Sequence, residues 1–144
     1  MLISEVLRTK GHDVVKIRAA DSIRLAVRML AEHRIGALMV EDQRRKLVGI
    51  FSERDFINAI ARDGAEILGL NVQELMSKRV ISCRSTDRVD AVLATMTNVR
   101  IRHVPVIDDG ELNGLVSIGD LVKYRLDEKE LEASVLLEIS RMRA

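Results

Sequence analysis

Gly49-Ile50-Phe51-Ser52-Glu53-Arg54-Asp55 and Gly114-Leu115-Val116-Ser117-Ile118-Gly119-Asp120 are one pattern written twice: Gly, two apolar residues, Ser, two residues, Asp. The duplication extends upstream. A shift of 66 carries Val14 onto Val80, Arg18 onto Arg84, Asp21 onto Asp87, Arg34-Ile35 onto Arg100-Ile101, Val40 onto Val106 and Asp42 onto Asp108. From Leu47 the shift is 65, and it carries Leu47-Val48-Gly49 onto Leu112-Asn113-Gly114, Ser52 onto Ser117 and Asp55 onto Asp120. The lost residue falls in the polar stretch 41–46, where a surface loop absorbs it. A repeated unit of this size needs a partner to cover its apolar face. The two copies are expected to pack on each other about a pseudo-twofold axis, with paired clefts between them.

The periodicities give each copy the order β-α-β-β-α, an α+β fold with flanking helices. In the first, Val14-Val15-Lys16-Ile17 reads as a strand and Asp21 as a helix N-cap. Ile23, Ala26, Val27 and Leu30 then recur at helical spacing, 37–40 and 47–51 read as strands, and Ser52 opens a second helix. In the second, Val80 to Cys83 reads as a strand, Val89, Val92, Leu93, Met96 and Val99 line a helix, and His103 to Ile107 is a strand. Asp108-Asp109-Gly110 signals a turn, Leu112 to Val116 a strand, and a helix starts near Ile118. The expected divisions are a leading helix over 1–13, repeat one over 14–62, a linker over 63–79, repeat two over 80–126 and a C-terminal helix over 127–144. Asn71 and Glu74 in the linker resemble a capping pair. Leu131, Val135, Ile139 and Met142 give the last helix one apolar stripe among charges.

Composition removes several function classes. With 144 residues, 47% hydrophobic and 31% charged, the chain has the make-up of a soluble globular protein. Its net charge of +1 gives no field to attract polyanions, and 2% aromatics provide no platform for stacking bases, so nucleic acid is not an expected partner. No apolar run nears the roughly 20 residues that span a bilayer, and no secretory leader is visible. The single Cys83 excludes an internal disulfide and suits a reducing compartment. The cytoplasm is the expected location.

The two Gly-x-x-Ser-x-x-Asp motifs, together with Arg102-His103-Val104-Pro105-Val106, resemble a tandem pair of cystathionine-β-synthase (CBS) domains of the stand-alone bacterial type. The resemblance spans both copies, roughly 14–62 and 80–124. It implies that adenine nucleotides (AMP, ADP, ATP, NAD(H) or S-adenosylmethionine) bind in the clefts. It also implies a regulatory module signalling to an effector protein, and association through helices into a homodimer. Elementary chemistry agrees. A Ser where a strand becomes a helix meets the unpaired N–H groups of the first turn, where anions are favoured. The carboxylate of Asp55 or Asp120, one turn on, accepts only, which suits the two donor hydroxyls of a ribose. Ser-x-x-Asp is equally a helix capping box that needs no ligand. The alternative function is therefore a structural or dimerisation module.

The remaining candidates carry two readings each. The resemblance turns Arg102 and His103 toward phosphates; otherwise they are solvated rim residues. Gly36 and Ala37, their counterparts, leave room for a ligand beside the backbone or simply join turn to strand. Arg54 is either a phosphate partner or an exposed helix arginine. Val14, Val15, Val80 and Ile81, with Ile35 and Ile101, offer apolar walls to an adenine ring or serve as core. Pro105 implies an edge or bulged strand position without a ladder donor. Nothing points to catalysis. His12, His33 and His103 are scattered, with His33 on the expected core side of its helix, and neither a metal-ligand spacing nor a glycine-rich phosphate loop occurs.

Overall fold

The computed structural model of the chain describes residues 1–143. Its elements are α1 (Ile3–Lys10), β1 (Lys16–Arg18), α2 (Ile23–His33), β2 (Ala37–Glu41), β3 (Leu47–Ser52), α3 (Glu53–Asp63), a 3-10 turn (Ala65–Gly69), α4 (Val72–Leu75), α5 (Val89–Val99), β4 (His103–Asp108), β5 (Glu111–Ser117) and α6 (Ile118–Met142). They form two units. Asp13–Ser82 makes one; Met1–His12 with the chain from Cys83 makes the other.

In the unit of the first copy, β1 runs parallel to β2, and β2 pairs antiparallel with β3. The strand begins at Lys16 rather than Val14, and Val15 adds only its carbonyl, which accepts from the Met39 N–H at 3.2 Å. Ser22, not Asp21, caps α2: its hydroxyl accepts from the Leu25 N–H at 3.1 Å. The Asp21 carboxylate instead accepts from the Arg18 N–H at 3.1 Å, and the Asp21 N–H donates to the Arg18 carbonyl at 3.0 Å. Arg84 and Asp87 close the same turn at 2.9 and 3.0 Å, which accounts for the duplicated Arg and Asp. The duplicated Arg-Ile pair ends α2 and α5. Arg34 (φ 52°) and Arg100 (φ 60°) are left-handed, and the N–H of Ile35 or Ile101 returns to the carbonyl of Leu30 or Met96. His33 is exposed rather than turned to the core.

The second copy has only two strands, β4 paired with β5. The strand expected over Val80 to Cys83 shrinks to Cys83, which bridges Val106 in the register that joins Ile17 to Val40 in the first copy. Pro105 supplies the reason. Its counterpart Met39 donates an N–H to Val15, and a proline has none to give. What remains is the Cys83 N–H on the Pro105 carbonyl at 3.0 Å and the Ile107 N–H on the Cys83 carbonyl at 2.8 Å. Asp109 (φ 51°) and Gly110 (φ 78°) form the two-residue hairpin that positive φ at both positions favours. The longer loop of the first copy is held by Asp42, whose carboxylate accepts from the N–H groups of Arg44 and Lys46, both at 2.9 Å.

A further duplication links the flanks. A shift of 69 carries Leu2-Ile3-Ser4-Glu5-Val6-Leu7 onto Asn71-Val72-Gln73-Glu74-Leu75-Met76. In the second copy's unit, Ile3 and Ser4 donate to the carbonyls of Asp87 and Ser85, and Val89 donates to Met1. In the first copy's unit, Val72 and Gln73 donate to Asp21 and Ala19, and Ile23 donates to Leu70. So α1 completes the second copy, while the expected linker, through α4, completes the first. Ile3, Val6 and Leu7 share a core with Val92, Met96, Val104, Val116 and Leu121. Val72 lies in the other core with Ile23, Leu38 and Phe51.

The motif glycines make this packing possible. A Cβ on Gly49 would meet Met76 Sδ at 2.6 Å and the Ser77 carbonyl oxygen at 2.9 Å; one on Gly114 would meet Leu7 Cδ2 at 2.7 Å. The last helix runs unbroken over the expected division at 126/127, and position 144 lies outside the described residues. Along α6, Leu126, Leu131, Val135, Leu136, Leu137 and Met142 are exposed. Among the described residues no helix is long and apolar enough to cross a membrane.

Gly49→Ala is expected to destabilise by about 1–3 kcal/mol, as overpacking does. Gly114→Ala should cost less, because the tip of Leu7 yields more readily than the Ser77 backbone. Urea unfolding of the two variants checks the order; equal costs contradict it.

Candidate functional site

Each copy gathers its polar candidates where a strand hands over to a helix. In the first, Ala37 pairs with Ser52 across β2 and β3, and the Glu53 N–H donates to the Gly36 carbonyl at 3.0 Å. In the second, His103 pairs with Ser117, and the Ile118 N–H donates to the Arg102 carbonyl at 2.9 Å. Gly36 and Arg102 are thus equivalent in their backbones and opposite in side chain. Val14 and Val15 precede β1 at the sheet end where β2 starts and β3 stops. Val80 and Ile81 are half-buried and outside any strand, Pro105 is buried inside β4, and Arg54 and Arg102 are exposed.

Both Ser-Asp pairs are full capping boxes. The Ser52 hydroxyl accepts from the Asp55 N–H at 3.2 Å, while Asp55 Oδ2 accepts from the Ser52 N–H at 2.9 Å and its hydroxyl at 3.1 Å. The Ser117 hydroxyl accepts from the Asp120 N–H at 3.0 Å, and Asp120 Oδ2 accepts from the Ser117 N–H at 2.8 Å. The first helical N–H goes to Gly36 or Arg102 and the third to the serine. The second, on Arg54 or Gly119, is left without a partner among the described residues. Each junction therefore offers one aimed N–H donor and one carboxylate oxygen, Oδ1, that the box does not use.

The surroundings of the two carboxylates differ. Ser77 Oγ lies 3.4 Å from Asp55 Oδ1, whereas the Lys10 ammonium pairs with Asp120 Oδ2. Burial alone raises the Asp120 pKa, but Lys10 and the Ser117 N–H outweigh it and hold the carboxyl below 3.8. Lys10, Ser77 and Glu53 were not singled out by sequence reasoning; the 69-residue shift that aligns α1 with α4 points to the segments that bring the first two, not to the residues themselves. Behind the first junction an open trough of about 480 Å³ is lined by Ala31, Arg34, Ile35, Gly36, Glu53 and Phe56, among others. Elsewhere, burial, reinforced by Asp87 and Asp108, pushes the Cys83 thiol up to about 12, which leaves it protonated and a poor nucleophile. Among the described residues no three His, Cys, Asp or Glu side chains cluster to hold a metal ion.

A duplicated small α+β unit, with the same capped, donor-bearing strand–helix junction in both copies, defines the class. The chain belongs to the CBS-domain family: the family model matches twice, at 3–62 and 72–127. The repeated element thus begins at Ile3 and Val72, the same 69-residue shift. A CBS-domain-containing protein of Bacillus subtilis is 28% identical over 141 residues, spanning 96% of each chain. The crystal structure of a CBS-domain-containing protein from Agrobacterium tumefaciens superposes with a TM-score of 0.84 at 41% identity, over 86% of this chain and 92% of that one. The CBS domain pair of protein MJ0100, solved in complex with 5'-methylthioadenosine and S-adenosyl-L-methionine, gives a TM-score of 0.78 at 27% identity, over 89% and 98% of the two chains.

The Asp120 carboxyl carries a pH signature. With its folded pKa below the unfolded value, its contribution is complete above pH 3.8 and is lost as pH falls through the folded value. Asp120→Asn is expected to flatten the loss of stability below about pH 4, as checked by denaturant midpoints from pH 2 to 6. An unchanged acid limb contradicts the Lys10 pairing.

Proposed function

We propose that the chain is a regulatory module that takes adenine nucleotides of the AMP, ATP or NAD(H) class at its two Ser-Asp junctions and passes their presence to an effector protein. The observation that supports this most is the pair of groups that the capping box does not use at each junction, a helix N–H and a carboxylate oxygen. The N–H groups of Arg54 and Gly119, beside the positive end of a helix, suit a phosphate oxygen. The carboxylates of Asp55 and Asp120 suit ribose hydroxyls. Arg54, Arg102 and His103 supply further phosphate contacts. Val14, Val15, Val80, Ile81, Ile35 and Ile101 wall the base, Pro105 stiffens its strand, and Gly36 and Ala37 leave space beside the ligand. The adenosine ligands in the MJ0100 structure support the nucleoside class. No residue here is assigned a catalytic step, and the lone buried thiol suits the cytoplasm.

The structural-module alternative has its own support, because both Ser-Asp pairs are spent as caps. The two separate by measurement. A ligand that binds only the folded state stabilises it by about 2.7 kcal/mol at a hundredfold excess over Kd. AMP, ADP, ATP and NAD(H) at millimolar concentration are expected to raise Tm, and to do so more than S-adenosylmethionine, whose sulfonium meets the cationic Arg54 and Arg102. In calorimetric titrations Asp55→Asn and Asp120→Asn should each weaken one binding step by roughly tenfold to a hundredfold, the cost of a charged hydrogen bond. If no adenosine raises Tm, the junctions are caps alone and the chain is a structural module.

The exposed apolar residues of α6, with Ile57 (57% exposed) and Val99 (49%) on other helices, support a homodimer. A closed twofold pair is the commonest way to cover such surface. Sedimentation at micromolar concentration is expected to give twice the 16.2 kDa chain mass; a monomer overturns the assignment.

A further inference from the structure

The two junctions share their capping boxes and differ in side chains, Gly36 and Arg54 at the first against Arg102 and Gly119 at the second, and in the group that reaches the carboxylate. In the first, Ser77 serves two acceptors: its N–H donates to the Ile50 carbonyl at 2.9 Å, and its hydroxyl reaches Asp55 Oδ1 at 3.4 Å. In the second, the equivalent acceptors are the Leu115 carbonyl and the Asp120 carboxylate, and the Lys10 ammonium serves both. A neutral serine from the segment after α4 is thus replaced by a cation from the end of α1. The hydroxyl contact is long and leaves the charge of Asp55 in place. The ammonium bonds the same Asp120 oxygen that closes the capping box and opposes the charge a ribose diol would seek. Only 27% of the Asp120 side chain is exposed, so water screens this pair less than one on the open surface.

We infer that Lys10 is a built-in competitor for the second junction: its charge on Asp120 Oδ2 weakens the pull of that carboxylate on a ribose, so that an adenine nucleotide fills the Asp55 junction first. This rests on the nucleotide-binding reading above and adds to it the order of filling and the residue that sets it. Lys10 belongs to the last turn of α1, just before Gly11 (φ 101°), whose left-handed backbone lets the chain turn away from the helix. Occupancy of the second junction is therefore felt at α1, the element that completes that unit's core.

The test uses the full chain and AMP in calorimetric titrations. Asp55→Asn weakens the first junction so that the second dominates, and Lys10→Met is then added, keeping the aliphatic stem without the charge. An ion pair of this exposure is worth little, so the expected gain in affinity at the second junction is about threefold to fivefold. Adding Asp120→Asn should abolish that gain. Unchanged binding on Lys10→Met overturns the competition, and weaker binding makes Lys10 a phosphate ligand instead. If the unsubstituted chain binds no AMP, the nucleotide reading fails and the inference with it. AMP binding to the unsubstituted chain with no effect of Lys10→Met sinks the inference alone.

Discussion

A helix that starts where a strand stops must satisfy the N–H groups of its first turn, and the rest of this structure depends on how the two Ser-Asp boxes do it. The serine hydroxyl takes one donor, a loop carbonyl takes another, and the carboxylate returns to the serine N–H. At each junction this arrangement also leaves one N–H and one carboxylate oxygen outside the box, the latter held at the first junction only by a long contact from the Ser77 hydroxyl. Stability and ligand chemistry are thus drawn from the same four residues, so a capping role does not argue against a binding role.

The glycine three residues before each serine belongs to the same arrangement. Without a Cβ, Gly49 admits Met76 and the Ser77 carbonyl, and Gly114 admits Leu7. The short helices that arrive there come from unexpected places in the chain, α4 from the apparent linker and α1 from the apparent leader. Each junction is therefore set beside a side chain from one of these segments, Ser77 or Lys10, a difference between the copies that adds to Gly36 against Arg102 and Arg54 against Gly119.

Most of the architecture was legible in the amino-acid order. The 66-residue shift located both copies, and the strands around Met39, Phe51, Val106 and Val116 stand where alternation and turn signals put them. Asp21 and the run Val80 to Cys83 depart from expectation for physical reasons. Asp21 has the chemistry of a helix cap but is consumed by the Arg18 turn, which leaves Ser22 to cap α2. The run Val80 to Cys83 has β-branched residues but faces Pro105, which cannot donate, and tertiary context overrides the propensity. The 69-residue shift between α1 and α4 was present in the sequence but short and weak, and only the hydrogen bonds of Ile3 and Val72 give it meaning. Lys10 was not legible at all, since its partners Leu115 and Asp120 lie more than a hundred residues away.

The central claim is that each capped junction keeps one N–H aimed at a ligand phosphate. Amide NMR during an AMP titration tests it most directly. The Arg54 and Gly119 amides should move most within their helices, Arg54 at lower AMP concentration. The Glu53 and Ile118 amides, already bonded to Gly36 and Arg102, should move less. Shifts confined to other parts of the chain, with Arg54 and Gly119 unmoved at saturation, contradict the account.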